Sequence, residues 1–165
     1  MAQAASLATG ELQTKLQSST GLAGTVSTIS DISGVKLAEI PPGNIIAQNV
    51  APELIERSHA NRYPTIHIFC SKETNLLREK FRTFSGEACM TAEVRVSQDR
   101  LESLEVQTQL YVDAVKRVLD ESRGDWGDGV FYAGGYEVNY GPVKHGGRNF
   151  LQVAKINFIV DVSCN

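Results

Sequence analysis

A switch of period near the middle of the chain constrains it most. Phe84, Ala88, Met90, Ala92, Val94 and Val96 share one face, with Ser85, Glu87, Cys89, Thr91, Glu93 and Arg95 on the other. That period of two is the mark of a strand with one buried and one wet face. Leu101, Leu104, Tyr111, Val115 and Val118 then recur at helical spacing, and Val112, Ala114 and Leu119 widen the stripe. An amphipathic helix of roughly six turns therefore follows the strand. Asp99 is the expected N-cap, with Glu102 completing a capping box. Lys116, Arg117 and Arg123 suit the negative end of the helix dipole, and Gly124 suits the residue just past it. An aspartate at Val115, in the middle of the stripe, is expected to unfold the domain.

The neighbouring segments complete a layer. Tyr63–Cys70 is a short run rich in branched and aromatic residues, hence a strand, with Pro64 where a missing N–H is tolerated. Residues 71–83 read as a loop or short helix around Leu76 and Leu77, carrying the basic cluster Lys72, Arg78, Lys80 and Arg82. Past the helix, Asp125–Gly129 is turn-rich and Val130–Tyr132 is a short strand. Tyr136, Val138 and Tyr140 alternate before a loop over 141–147, and Phe150–Val162 alternates again, so the last two runs read as a hairpin. The expected class is α+β: a mixed or antiparallel sheet of about four strands with one long helix packed on one face.

The first sixty residues look different. They are rich in Ser, Thr, Ala and Gly, and Leu7, Leu12 and Leu16 form only a weak helical stripe. Gly21, Gly24, Gly34 and Pro41-Pro42-Gly43 interrupt anything longer, and a second short helix carrying Leu54 and Ile55 begins at Pro52. The expected division is an extended N-terminal arm with short helices over residues 1–60 and an α+β domain over residues 61–165. Ordering such an arm costs roughly 1–2 kcal/mol per residue of backbone entropy, more than its sparse leucines offset alone. It lies either across its own domain or on a neighbour. Leu7, Leu12, Leu16, Ile40, Ile45 and Ile46 are the residues expected to pack on an adjacent subunit or a neighbouring protein, and removal of residues 1–50 is expected to leave the remaining domain folded.

The chemistry-bearing residues point away from catalysis. His67 and Cys70 stand three apart in a strand and face opposite ways, so they cannot share a metal. Cys89 and Cys164 stand alone, and three widely spaced cysteines are no disulfide framework. His59 and His145 read as surface histidines, and Asp125 and Asp128 lack the spacing of a calcium loop. No nucleophile elbow or phosphate loop is present, and Glu87 and Glu93 stand about 20 Å apart by strand rise, too far for an acid–base pair. A net charge of −3 gives no general attraction for nucleic acid, and the basic cluster is expected to be a solvated or protein-facing loop. No apolar run suggests a membrane span, and the first residues have no secretory pattern, so synthesis in the cytoplasm is expected. The expectation is a non-enzymatic protein with no metal and no cofactor.

The stretch from Glu79 to Val162, EKFRTFSGEACMTAEVRV through GGRNFLQVAKINFIVDV, resembles the neck and tail-completion proteins of tailed bacteriophages, and within them the tail terminator family. Counted from the first strand at Tyr63, the likeness covers about 100 residues and lies in element order: strand, long strand, long helix, hairpin. It implies a structural virion protein that forms a homo-oligomeric ring, most often a hexamer. Such a ring caps the tail tube, meets a connector on the head side and lets DNA pass through its lumen without sequence-specific binding. The glycine loops 124–129 and 141–147, with Trp126 and His145, would adapt to those partners, and Lys72, Arg78, Lys80 and Arg82 would sit at a protein interface. A head-completion or connector protein, a small binding module of the host and an enzyme are the alternatives.

Overall fold

The computed structural model describes residues 3–56, 63–146 and 148–165. Arg57, His59, Gly147 and the expected domain boundary after residue 60 lie outside them. Among the described residues there are four helices and eight strands: α1 (Ala4–Gln17), α2 (Leu22–Ser33), β1 (Ile45–Ala47), α3 (Pro52–Glu56), β2 (Thr65–Asn75), β3 (Phe84–Gln98), α4 (Leu104–Glu121), β4 (Gly124–Gly127), β5 (Val130–Tyr132), β6 (Glu137–Tyr140), β7 (Lys144–Gly146) and β8 (Asn149–Cys164). The class is α+β, but the expectation of about four strands under one long helix is corrected. A single sheet runs β1-β2-β3-β8-β5-β4, and β6 and β7 also pair with β8. The extra strands have a simple cause. β8 is long enough to take β5, β6 and β7 in turn along the edge opposite β3.

β3 lies between β2 and β8, antiparallel to both. Its apolar face, from Phe84 through Met90 to Val96, meets Ile66 and Ile68 of β2 and Ala154, Ile156, Phe158 and Val160 of β8 in one core. α1 and α4 pack on that face, and α2 packs on α4. Val115 is fully buried there, together with Tyr111, Val112, Val118 and Leu119.

The helix begins later than the spacing predicts. Residues 99–103 form a turn closed by the Gln98 side-chain amide, whose Nε2 donates to the carbonyls of Arg100 (2.7 Å) and Glu102 (2.6 Å). Ser103, in the left-handed region at φ 66°, takes the N-cap place without a side-chain bond, so neither Asp99 nor Glu102 caps the helix. At the other end Ser122 is the C-cap, and Gly124 is the first residue of β4.

The arm expectation is also corrected. Ala4, Ala8, Leu12 and Leu16 repeat every four residues along α1 and are buried, and alanine at two of those places lets the helix lie close to the sheet. Leu22, Thr25, Val26 and Ile29 form the buried stripe of α2. Ile45 opens β1, which pairs in parallel with β2 (Ile45 opposite Ile66), and Ile40 is buried beside it. The Tyr111 hydroxyl on α4 donates to the Ala38 carbonyl at 2.8 Å, and burial pushes its pKa up to about 12. The first fifty residues are thus woven into the core of their own chain. Leu12, Leu16, Ile40 and Ile45 join the core of the domain's own apolar sheet face, which a single long helix does not cover.

Candidate interaction surfaces

Two surfaces carry most of the unusual chemistry, one at each end of the outer face of β3. The first is the turn between β2 and β3. Asn75 organises it: its Oδ1 accepts from the backbone N–H groups of Leu77 (3.2 Å) and Ser85 (3.1 Å), and its Nδ2 donates to the Thr83 carbonyl (3.0 Å). The Ser85 carbonyl accepts from the N–H groups of Leu76 and Arg78, and the Ser85 hydroxyl accepts from the N–H of Glu79. Gly86 is required here, because a Cβ at that position would stand 2.0 Å from the Thr74 carbonyl oxygen.

Arg78 staples this turn to the sheet. Its Nη2 donates to Glu87 at 2.6 Å and its Nη1 to Asp161 at 2.7 Å. Hydrogen bonds to Glu87 first and Asp161 second hold its pKa above the ordinary guanidinium value. The anchored turn turns its apolar residues outward. Phe81 is 99% exposed at φ 68°, and Leu76 and Leu77 are exposed beside it, Leu77 at φ 48°. A bulky residue in the left-handed region is strained, and such strain persists only where the surroundings impose it. Next to the turn lies a groove of about 570 Å³ lined by Arg78, Glu79, Asp125, Phe131, Asp161 and Ser163, among others.

The second surface is at the opposite end of the outer face, where the alternating pattern predicts water. Here both faces of β3 are buried, and the segment around Val50 meets its outer face. Glu93 and Arg95 are buried, Arg95 Nε donates to Glu93 at 2.9 Å, and Arg95 Nη2 donates to the Val50 carbonyl. Lys155, opposite Glu93 on β8, reaches its other oxygen at 4.0 Å. His67, opposite Glu93 on β2, is buried, and its Nδ1 has no hydrogen-bond partner among the described residues. Burial and the nearby Arg95 lower its pKa, while the Gln48 backbone and Glu93 oppose them, so the ring is neutral near pH 7. Above this row lies a cleft of about 630 Å³ lined by Phe69, Glu93, Tyr140, Pro142, Leu151 and Lys155, among others. Its carboxylate meets two cations, Arg95 on its own strand and Lys155 on β8, and the latter links β3 to β8.

The twelve residues expected at an assembly interface do not form one surface. Leu12, Leu16, Ile40 and Ile45 are buried core, Leu7 packs against them half-buried, and Ile46 is half-buried in β1 outside that cluster. Trp126 is also corrected from loop to core. It is buried, donates from Nε1 to the Ser122 carbonyl at 2.6 Å, and stacks with Tyr132 and Phe158. Arg78, Lys80 and Arg82 come together in the exposed turn, and Lys72 is exposed on β2 nearby. His145 is exposed in β7, edge-on to Phe150, toward the other end of the sheet. The sequence reading passed over the Glu93–Arg95 pair. Its signal was a glutamate and an arginine two apart on one strand face, opposite a histidine and a lysine.

Among the described residues no group of three His, Cys, Asp or Glu side chains could hold a metal ion, and no helix is long and apolar enough to cross a membrane. No protein-family model matches the chain, and no curated protein does.

Proposed function

We propose that this chain is a structural virion protein of a tailed bacteriophage, forming a homo-oligomeric ring at the neck that terminates the tail tube and joins it to the head. The observation that carries the reading is the preformed turn 76–83, which holds three large apolar side chains away from the core on a hydrogen-bonded frame. Exposed apolar groups on a fixed scaffold suit a protein whose work is contact with other proteins. β2, β3 and α4 follow the strand, long strand and long helix of the resemblance, and five strands follow where it implies a hairpin. A heterologous contact between copies closes a ring when its rotation divides a full turn. DNA threading such a ring would meet a chain of net charge −3, which favours passage over gripping. The test is to locate the tagged protein in purified particles by electron microscopy and to weigh the purified protein by native mass spectrometry. Label at the head–tail junction and a closed oligomer support the reading. Absence from particles, or a monomer at all concentrations, refutes it.

A further inference from the structure

The turn 76–83 and the groove beside it are complementary, and they belong to the same end of the molecule. The turn offers Lys80-Phe81-Arg82, an aromatic ring in open solvent between two cations. The groove offers three carboxylates, Glu79, Asp125 and Asp161, against the single guanidinium of Arg78, with the half-exposed ring of Phe131 on its wall. Asp128 adds a further carboxylate on the turn that enters it. The groove's volume of about 570 Å³ has room for a phenyl ring and its flanking atoms.

Phe81 cannot fill the groove of its own chain, because the hydrogen bonds around Asn75 and Ser85 and the Arg78 staple hold its backbone pointing outward. Arg82 leans on Glu79 at 3.6 Å within the turn, a weak exposed pair that an intermolecular partner can displace. Knob and groove therefore stand ready in every copy, each lacking a counterpart that a second copy carries.

We infer that the Lys80-Phe81-Arg82 knob of one copy docks in the acidic groove at Asp125, Phe131 and Asp161 of another, so that this contact is a principal anchor of self-association. The inference rests on the proposed function only in requiring that the chain associates with itself. Phe81 supplies the buried anchor, as aromatic residues do at the centre of interfaces, and the flanking cations supply register and orientation.

The experiment uses the full-length protein in sedimentation and native mass measurements. Phe81→Asn is the first variant, because asparagine tolerates the left-handed backbone and leaves the turn intact. Loss of an aromatic anchor is expected to weaken association roughly thirtyfold, the equivalent of about 2 kcal/mol. The second test exchanges charges. Lys80→Glu with Arg82→Glu reverses the knob, and Asp125→Lys with Asp128→Lys reverses the groove, with circular dichroism and melting curves confirming that each variant is folded. Each reversed protein is expected to be monomeric alone, and mixing the two is expected to restore association, because each then offers the other a matching site. Rising salt should weaken the wild-type contact. Association unchanged in Phe81→Asn and in both reversed proteins overturns this docking while leaving a ring built on other contacts. A wild-type protein that never associates overturns both this inference and the proposed function. Knob variants that still associate but no longer rescue particle assembly assign the knob to a different virion protein and overturn docking between copies.

Discussion

The N-terminal segment is poor in large apolar residues and buries most of them, whereas the turn 76–83 is dense in them and leaves Leu76, Leu77 and Phe81 in solvent. The difference lies in what fixes each backbone. In α1 the helical repeat brings Ala4, Ala8, Leu12 and Leu16 onto the sheet, with the two alanines permitting close approach, and in α2 it turns Leu22, Val26 and Ile29 inward beside α4. In the turn, side-chain hydrogen bonds from Asn75, Ser85 and Arg78 set a conformation that points the apolar groups away. Burial follows geometry more than composition, so a polar-looking segment belongs to the core and an apolar-looking one to the surface.

The most drastic way to break this contrast is deletion of residues 1–50. It removes α1, α2 and β1 and strips cover from Ile66, Ile68 and Met90. The shortened chain is expected to lose its cooperative melting transition and its dispersed amide spectrum. A truncated protein that melts cooperatively near the full-length temperature would restore the idea of a dispensable arm.

A milder comparison uses one residue from each region. Leu12 is fully buried, and Leu12→Ala is expected to cost about 2–5 kcal/mol in urea unfolding, from lost transfer energy plus the cavity left behind. Phe81→Asn is expected to leave the stability of the monomer within about 0.5 kcal/mol, as exposed substitutions do. Equal losses at the two positions would show that the turn packs on the core after all.

These contrasts mark what the sequence made legible. The alternation of β3 and β8 and the stripe of α4 were readable because each element buries one face with its own period. The N-terminal helices were not, because Ala4 and Ala8 contribute little to a hydrophobic stripe and Thr25 occupies a buried place by donating to the Gly21 carbonyl at 2.9 Å. Helix propensity was also misleading at Gly24, which is exposed and needs only to be tolerated. Of the two surfaces, the basic turn was visible as a charged, solvated or protein-facing loop, but the outward fixing of its apolar residues was not, since Leu76, Leu77 and Phe81 by themselves suggest burial. The coverage of Glu93 and Arg95 depends on the segment around Val50 meeting the sheet, a tertiary event that no local pattern records.

The two arginine clusters of β3's outer face extend the comparison to charge. Arg95 is buried with Glu93, and Arg95→Ala is expected to cost about 3–5 kcal/mol by leaving a buried carboxylate with only the distant, exposed Lys155 ammonium at 4.0 Å. Arg78 pairs with two carboxylates in solvent, and Arg78→Ala is expected to leave the melting temperature nearly unchanged while hydrogen exchange speeds up in residues 76–83. Similar melting losses in the two variants would mean that the exposed staple carries global stability.

The smallest expected effect is in pH dependence, and it sharpens the account of the covered end. His67 is buried between β1 and β3, facing Glu93 and Arg95, and its pKa is held below the ordinary 6.5 chiefly by burial and secondly by Arg95. The folded state therefore favours the neutral ring, whereas the unfolded chain takes up a proton near pH 6.5. Because the unfolded state binds more protons in that window, stability rises with pH there. The full contribution is present above pH 6.5 and is lost progressively as pH falls toward the lowered folded value. Melting curves between pH 7.5 and 5.5 are expected to show this decline in the wild-type protein, and His67→Gln, which keeps a polar side chain but cannot titrate, is expected to flatten it. Most carboxylates titrate below this window, so the histidine's share can be read within it. An unchanged slope in the variant would show that His67 takes up its proton equally well in both states, and that the cover over this end of the sheet admits water.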